Sequence, residues 1–335
     1  MRPPIFITGV AGFIGFHFAK HLLATGKSVV GVDDINPYYD PKLKEARLKA
    51  LASPHFTFHK LDIADYDGLF AVMKKCQAEY IVHLAAQAGV RHSIDNPRAY
   101  HHSNLTGFFN VLEACRHLSI AHLLYASSSS VYGASTDYPY GESQPVNHPI
   151  SFYAASKKAN EAMAHAYAHI YSVPCTALRF FTVYGPWGRP DMALWRFTER
   201  ILADDPIPIF GEGKMQRDFT YCDDVSLGMA RLLDLPPTPN PAWDSTAQPQ
   251  ATSAAPWRIV NIGNNKPTEL EYFIAVLEEA LGKKAKRDYQ PMQLGDVVAT
   301  AADITAIQSL IDFTPQTSIE EGIPKFVNWY RQYKN

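Results

Sequence analysis

The chain has 335 residues, is 47% hydrophobic and carries a formal net charge of -2. That length and apolar content suit one large two-lobed unit or two domains. The balanced charge, with no basic stripe and no acidic tail, argues against a nucleic-acid binder or a disordered chain, and no apolar run reaches membrane-spanning length.

Pro4–Thr8 is a short apolar run suited to a buried parallel strand, which reads the apolar N-terminus as a first strand rather than a signal peptide. Gly9, Gly12 and Gly15 follow in G-x-x-G-x-x-G spacing, and a helical pattern continues through Phe16, Ala19, Leu22 and Leu23. Strand, glycine turn and helix start are what dinucleotide binding needs. Gly9 permits the turn, Gly12 the approach of a pyrophosphate, and Gly15 the close packing of helix on strand. Free amides at the helix start, at Phe13 and Ile14, favour the phosphates. Val29–Val32 is a second strand candidate ending in Asp33, 18 residues beyond Gly15. An acid at that distance binds the adenine ribose hydroxyls and repels the extra phosphate of NADP, so NAD is the cofactor expected.

Further strand candidates at Phe56–Asp62, Tyr80–Ala85, His122–Ser127 and Pro174–Phe180 alternate with helices expected at 65–76, 98–117 and 152–172. The alternation predicts an α/β fold, a Rossmann-type doubly wound parallel sheet. About seven strands are expected, the last returning near Asp218–Tyr221. Ligands of such sheets bind outside the C-terminal strand ends. Asp62, Ile63, Leu84, Ala85, Ala86, Gln87, Ser127, Ser128 and Phe180 to Val183 are therefore expected around the dinucleotide.

Residues 1–180, with a return segment near 213–235, are expected to form the dinucleotide-binding domain. Residues 181–335 are expected to form mainly a smaller α/β substrate lobe, with amphipathic helices at 268–282 and 319–334. The stretch 236–256, rich in proline, serine, alanine and threonine, reads as a flexible surface insertion. Cys76, Cys115, Cys175 and Cys222 form no C-x-x-C and read as reduced thiols of a cytoplasmic protein.

Tyr153 and Lys157 lie four apart on an expected helix and share a face. An ammonium beside a phenol lowers the phenol pKa, and such a phenol can take a sugar hydroxyl proton and return it. His165 and His169, with Glu161 a turn earlier, have helical metal-site spacing. Ala166 stands where a zinc-protease helix carries glutamate, and no third ligand is evident, so no metal is expected.

These residues together resemble the nucleotide-sugar 4-epimerases of the extended short-chain dehydrogenase/reductase family. The resemblance is carried by TGVAGFIG (8–15), HLAAQAGVRHS (83–93), YASSSSVYG (125–133), YAASK (153–157), GKMQRDFTYCDD (213–224) and MQLGDV (292–297). SSSSVYG and RFFTVYGPWGRPDMAL (179–194) point to its glucuronate branch. The resemblance implies that Tyr153 is the acid/base on the sugar 4-hydroxyl. Lys157 would bind the nicotinamide ribose, Ser128 the 4-oxygen, Arg217 the UDP pyrophosphate, and Asp296 the uridine ribose or Arg217. It implies a cofactor contact at Asn104, a tightly held NAD regenerated in each cycle, a UDP-sugar substrate and a homodimer. Galactose 4-epimerases carry asparagine where Thr182 stands and arginine near Gln293, which argues against plain UDP-glucose.

The activity expected is C4 epimerisation between UDP-glucuronate and UDP-galacturonate through a 4-keto sugar. The Ser127–Ser130 loop lacks the carboxylate that a dehydratase or decarboxylase uses here. Oxidation at C4 makes a β-keto acid, so the sugar carboxylate must be held away from the geometry that expels carbon dioxide. Arg189 and Thr182, with Ser129 or Ser130, are candidate anchors, and Arg91 is another. The competing readings are an Arg189–Asp191 ion pair and a surface Arg91. A 4-epimerase of UDP-glucose or UDP-N-acetylhexosamine, a UDP-glucuronate decarboxylase and a dinucleotide-sensing scaffold remain as alternatives.

Overall fold

The computed structural model describes residues 3–246, 251–292 and 297–334. In chain order the strands are β1 (Ile5–Thr8), β2 (Val29–Asp33), β3 (Phe56–Lys60), β4 (Tyr80–His83), β5 (His122–Ser128), β6 (Cys175–Phe180), β7 (Thr182–Tyr184), β8 (Ile207–Phe210), β9 (Gln216–Tyr221), β10 (Trp257–Ile262), β11 (Pro267–Glu269) and β12 (Arg287–Gln290). The helices are α1 (Phe13–Ala24), α2 (Pro41–Leu51), α3 (Tyr66–Cys76), α4 (His92–Asp95), α5 (Pro97–Tyr100), α6 (Phe108–Leu118), α7 (Phe152–Tyr171), α8 (Ala193–Leu202), α9 (Cys222–Leu233), α10 (Leu270–Leu281), α11 (Thr305–Ile311) and α12 (Ile319–Lys334).

Seven parallel strands form the main sheet in the order β10-β6-β5-β4-β1-β2-β3. Helices cover both faces, which explains why inner strands read as continuous apolar runs. Successive side chains of β1 part company: Ile5 and Ile7 join a core with α1 and α9, while Phe6 joins one with α3, α6 and α7. That is the two-residue period of a strand buried on both faces. Strand order reverses between β1 and β4, and the crevice opens there.

The strand expected at Asp218–Tyr221 forms as β9, but it pairs with β7 and β11 in a separate three-stranded sheet. The seventh place in the main sheet belongs instead to β10, beside β6. Six buried residues of β10, Trp257–Ile262, follow the proline-rich stretch and complete the apolar layer. The end of that stretch is packed rather than a free surface loop: Ser253 and Ala255 are buried, and Ile259 N donates to Ala251 O at 2.8 Å. Residues 247–250 lie outside the described residues.

The single helix expected over 98–117 is three pieces: α5, a π-helical segment at His101–Gly107, and α6. The wider segment turns Asn104 inward, where its side chain meets the backbone of Gln87 and the Ser156 hydroxyl.

Candidate active site

A cavity of about 230 Å³ lies at the C-terminal ends of β1, β2, β4 and β5. Its floor is the glycine turn. Gly9 has φ +73°, and a Cβ there would come within 2.6 Å of the Ala85 nitrogen. A Cβ on Gly15 would lie 2.2 Å from the Gly9 carbonyl oxygen. Neither position admits a side chain without displacing backbone. Gly12 precedes α1 with no side-chain cap, so the donors of the first turn are left for a ligand, and Phe13, Ile14 and Gly15 all line the cavity.

Asp33 sits buried at the end of β2. Its carboxylate accepts from Ala11 N (3.1 Å) and Ile35 N (2.9 Å), and Lys44 Nζ lies 3.7 Å away. Burial raises its pKa above the usual carboxylate range, while Lys44 and the two amides pull it down. A cradle closed to side chains, a helix start and a carboxylate at the second strand fit a dinucleotide lacking a ribose phosphate.

Ser151 caps α7, its Oγ accepting from Ala154 N at 3.1 Å, and so fixes where the helix begins. Tyr153 falls in the first turn at the cavity, and Lys157 follows one turn later, fully buried. Ser128 and the Tyr153 phenol line the same cavity, and the Ser128 hydroxyl donates to Ser130 Oγ at 3.2 Å. Burial pushes that phenol above the ordinary tyrosine range, opposed by Ser128 and by the charge of Arg189. The ammonium expected to lower it is directed elsewhere: Lys157 Nζ donates to the Ala126 carbonyl at 2.9 Å. Burial lowers Lys157 itself to about 8. Helical spacing brought the pair onto one face, but the strand-end carbonyl captured the lysine.

Asp62, Ile63, Leu84, Ala85, Ala86, Gln87, Ser127, Phe180 and Arg189 line the same cavity. Several have their polar groups already engaged. Asp62 meets His102 Nε2 at 2.7 Å, and Ser127 Oγ donates to Glu161 at 2.7 Å. Asn104 does not line the cavity. Its amide grips both the nitrogen and the oxygen of Gln87, so it acts on the site through the 87–91 loop.

A second cavity of about 210 Å³ takes Ser129, Ser130, Thr182 and Arg217, together with Tyr140 and Thr300. Ser128–Ser130 runs between the two spaces. Arg189 forms a two-point ion pair with Asp191, at 3.0 and 2.7 Å. This is the competing reading of that arginine, although it still faces the Tyr153 cavity. Arg91 lies in neither lining and stacks over the Phe210 ring, 4.9 Å from its centre. Asp296 and Gln293 lie outside the described residues. Of the histidine-helix group, Glu161 points inward to Arg179 at 2.8 and 2.9 Å, while His165 stacks near His169.

Sequence reasoning missed Tyr38, Tyr39 and Lys44, which line the dinucleotide end of the cavity. The available signal was Asp33-Asp34 followed, after two intervening residues, by Pro37-Tyr38-Tyr39, a polar loop at a strand end. Lys44 gave no signal, because a lysine on a charged helix reads as solvated until its neighbours are known.

The parallel sheet, the glycine turn and the tyrosine–lysine helix define an α/β protein built around a dinucleotide crevice. The model of the NAD dependent epimerase/dehydratase family matches residues 5–242. Protein CapI of Staphylococcus aureus is 51% identical over 98% of either chain. The probable UDP-glucuronate 4-epimerase of Rhizobium meliloti (strain 1021) is 47% identical, over 97% of this chain and 96% of its own. Among solved structures, the Bacillus cereus UDP-glucuronic acid 4-epimerase in complex with UDP-glucuronic acid and NAD has a TM-score of 0.86 at 31% identity, covering 98% of this chain and 99% of that one. The chain belongs to the NAD dependent epimerase/dehydratase family.

Proposed function

We propose that this protein is an NAD-dependent 4-epimerase of UDP-hexuronic acids that interconverts UDP-glucuronate and UDP-galacturonate through a 4-keto sugar. The observation that carries the reading is the Tyr153 phenol, which shares its cavity lining with Ser128 where the dinucleotide cavity meets the serine-lined one. Whole-chain likeness to the Rhizobium and Bacillus enzymes supports the substrate.

NAD, held by the glycine turn with Asp33 at its adenine ribose, would supply the hydride acceptor and donor for C4. Tyr153 removes the C4 hydroxyl proton and later gives it back, acting as base and then acid. Ser128, in the same cavity lining as the phenol, steadies the sugar oxygen. Lys157, held by the Ala126 carbonyl, keeps a polar hydrogen-bonding group at the nicotinamide ribose. Arg217, in the second cavity, meets the diphosphate, so that the nucleotide stays anchored while the sugar turns.

A dehydratase would need a free carboxylate beside the sugar, and a dedicated decarboxylase uses one there. The loop supplies only serines, and the neighbouring Glu161 is locked by Arg179 and Ser127. Thr182, Ser129 and Ser130 are the groups proposed to hold the sugar carboxylate out of the ketone's perpendicular, with Arg189 adding charge. One observation favours a second reading, an uncharged UDP-hexose: the Arg189 fork is already occupied by Asp191.

Incubation with UDP-glucuronate and no added NAD, followed by NMR of the sugar, tests the proposal. UDP-galacturonate is the expected product. Turnover of UDP-glucose with none of UDP-glucuronate would falsify the uronate assignment.

No helix among the described residues is long and apolar enough to cross a membrane. A cytoplasmic homodimer joined through α6 and α7 is part of the same proposal, supported by the free cysteines and by apolar side chains on those helices.

A further inference from the structure

The loop 185–192 carries Arg189 and Met192 to the cavity, with Asp191 paired to Arg189 behind them. It begins with a sharp turn, Gly185 at φ 143° and Trp187 at φ 60°. Three consecutive carbonyls of this turn are gripped by side chains of α1 and α2. His17 Nε2 donates to Pro186 O at 2.8 Å. Arg47 Nη2 donates to Trp187 O at 2.5 Å and to Gly188 O at 3.3 Å. The other end of the same guanidinium, Nη1, donates to Ala11 O at 2.8 Å and to the Tyr39 hydroxyl at 2.7 Å. One planar group therefore joins the glycine turn to the loop that faces the sugar.

Arg47 is completely buried and, among the described residues, its Nε has no hydrogen-bond partner and no carboxylate is among its partners. A buried cation held only by carbonyls and a hydroxyl is a costly way to fill space, and an apolar side chain of similar volume would serve stability as well. What an apolar chain lacks is the rigid fork that bridges oxygens on two separate loops. Tyr38 adds a further tie, donating to Asp191 at 3.1 Å.

We infer that Arg47 is a positioning residue: it sets the register of the 185–192 loop against the glycine turn, and so controls how the 4-keto sugar is handled. The inference rests on the uronate reading above. If the loop drifts, the carboxylate of the keto sugar can swing perpendicular to the C4 ketone. The C5–C6 bond then breaks, its electron pair forms the C4–C5 enolate, and carbon dioxide leaves. A proton taken up at C5 gives a 4-keto pentose. The hydride withdrawn earlier reduces it to a UDP-pentose.

The test compares Arg47→Met and Arg47→Lys with wild type on UDP-glucuronate, reading kcat, KM, bound dinucleotide and products by NMR. A misplacement of about an ångström costs roughly a hundredfold in rate. The expected result for Arg47→Met is a fall of that order in kcat, little change in KM, retained dinucleotide and a raised share of UDP-pentose. Arg47→Lys recovers part of the loss, because an ammonium reaches one loop but cannot fork to both. Arg47→Met with wild-type kcat and product ratio overturns the inference, as does a loss of kcat with an unchanged product ratio. If Arg47→Met does not fold, His17→Asn removes one of the three grips more gently. It should move kcat and pentose share the same way, and an unchanged product ratio again overturns the inference. A wild type that acts only on an uncharged UDP-hexose sinks the uronate reading separately. Arg47 is then read from released 4-keto hexose, expected to rise in Arg47→Met and fatal to the inference if it does not.

Discussion

A phenol raised by burial is a weak acid and, once ionised, a strong base, so the groups that pull its pKa back decide how much is active at neutral pH. Around Tyr153 those groups are the Ser128 hydroxyl and the Arg189 charge. Replacing Tyr153 by phenylalanine should lower kcat by about 10²–10⁴-fold, with the dinucleotide still bound. Replacing Arg189 by glutamine removes a positive neighbour and makes the phenolate less stable. The Tyr153 pKa then rises, and the ascending limb of kcat/KM against pH moves to higher pH. A limb that stays in place or moves to lower pH shows that Arg189 does not act on the phenol. At this scale the sequence was most readable where the signal is local. The glycine spacing and the four-residue step from Tyr153 to Lys157 depend on one turn of chain. The acceptor of the lysine is Ala126, 31 residues away, and no local pattern encodes it.

Between α5 and α6 the helix slips into a π-helical turn, a form that concentrates at functional sites. The slip orients Asn104 so that one side chain holds Gln87 N, Gln87 O and Ser156 Oγ at 2.8, 3.1 and 3.0 Å. Asn160 continues the same tie by donating to Asn104 O at 2.7 Å. Asn104→Ala strands buried backbone groups of Gln87, at a cost of about 1–3 kcal/mol. Urea unfolding should report that loss, and the purified variant should retain less dinucleotide because Gln87 lines its cavity. Unchanged stability with full dinucleotide content means that the loop stands without Asn104. Apolar periodicity predicted one helix across 98–117 because a π turn leaves the pattern of buried side chains nearly intact. The misplacement of the last strand has a related cause. Asp218–Tyr221 reads as the returning strand, whereas Trp257–Ile262 carries no strand assignment in the sequence reading; partner choice is settled by the edge of β6, which only tertiary packing supplies.

The molecule as a whole leaves large apolar side chains uncovered on the helices behind its main sheet. Phe109 on α6 is 46% exposed, and Ile170 and Tyr171 on α7 are 65% and 43% exposed. The two helices are tied side by side by Tyr167 to Glu113 at 2.5 Å and by Arg116 over the Tyr171 ring at 4.3 Å, so these groups belong to one rigid surface. Single exposed apolar residues are ordinary, but several on one pair of packed helices suit an interface between identical copies. A second copy related by a two-fold axis would lay α6 and α7 against their equivalents. A stable dimer of this kind needs roughly 800 Å² from each partner. Sedimentation equilibrium of the wild type should give twice the mass of one chain. The double substitution Phe109→Glu and Ile170→Glu buries two charges in that seam, and it should shift the mass to a single chain while Tyr153 and its cavity stay intact. A wild type that sediments as one chain at micromolar concentration removes the dimer from the proposal. A double variant that remains a dimer moves the interface to another face of the molecule.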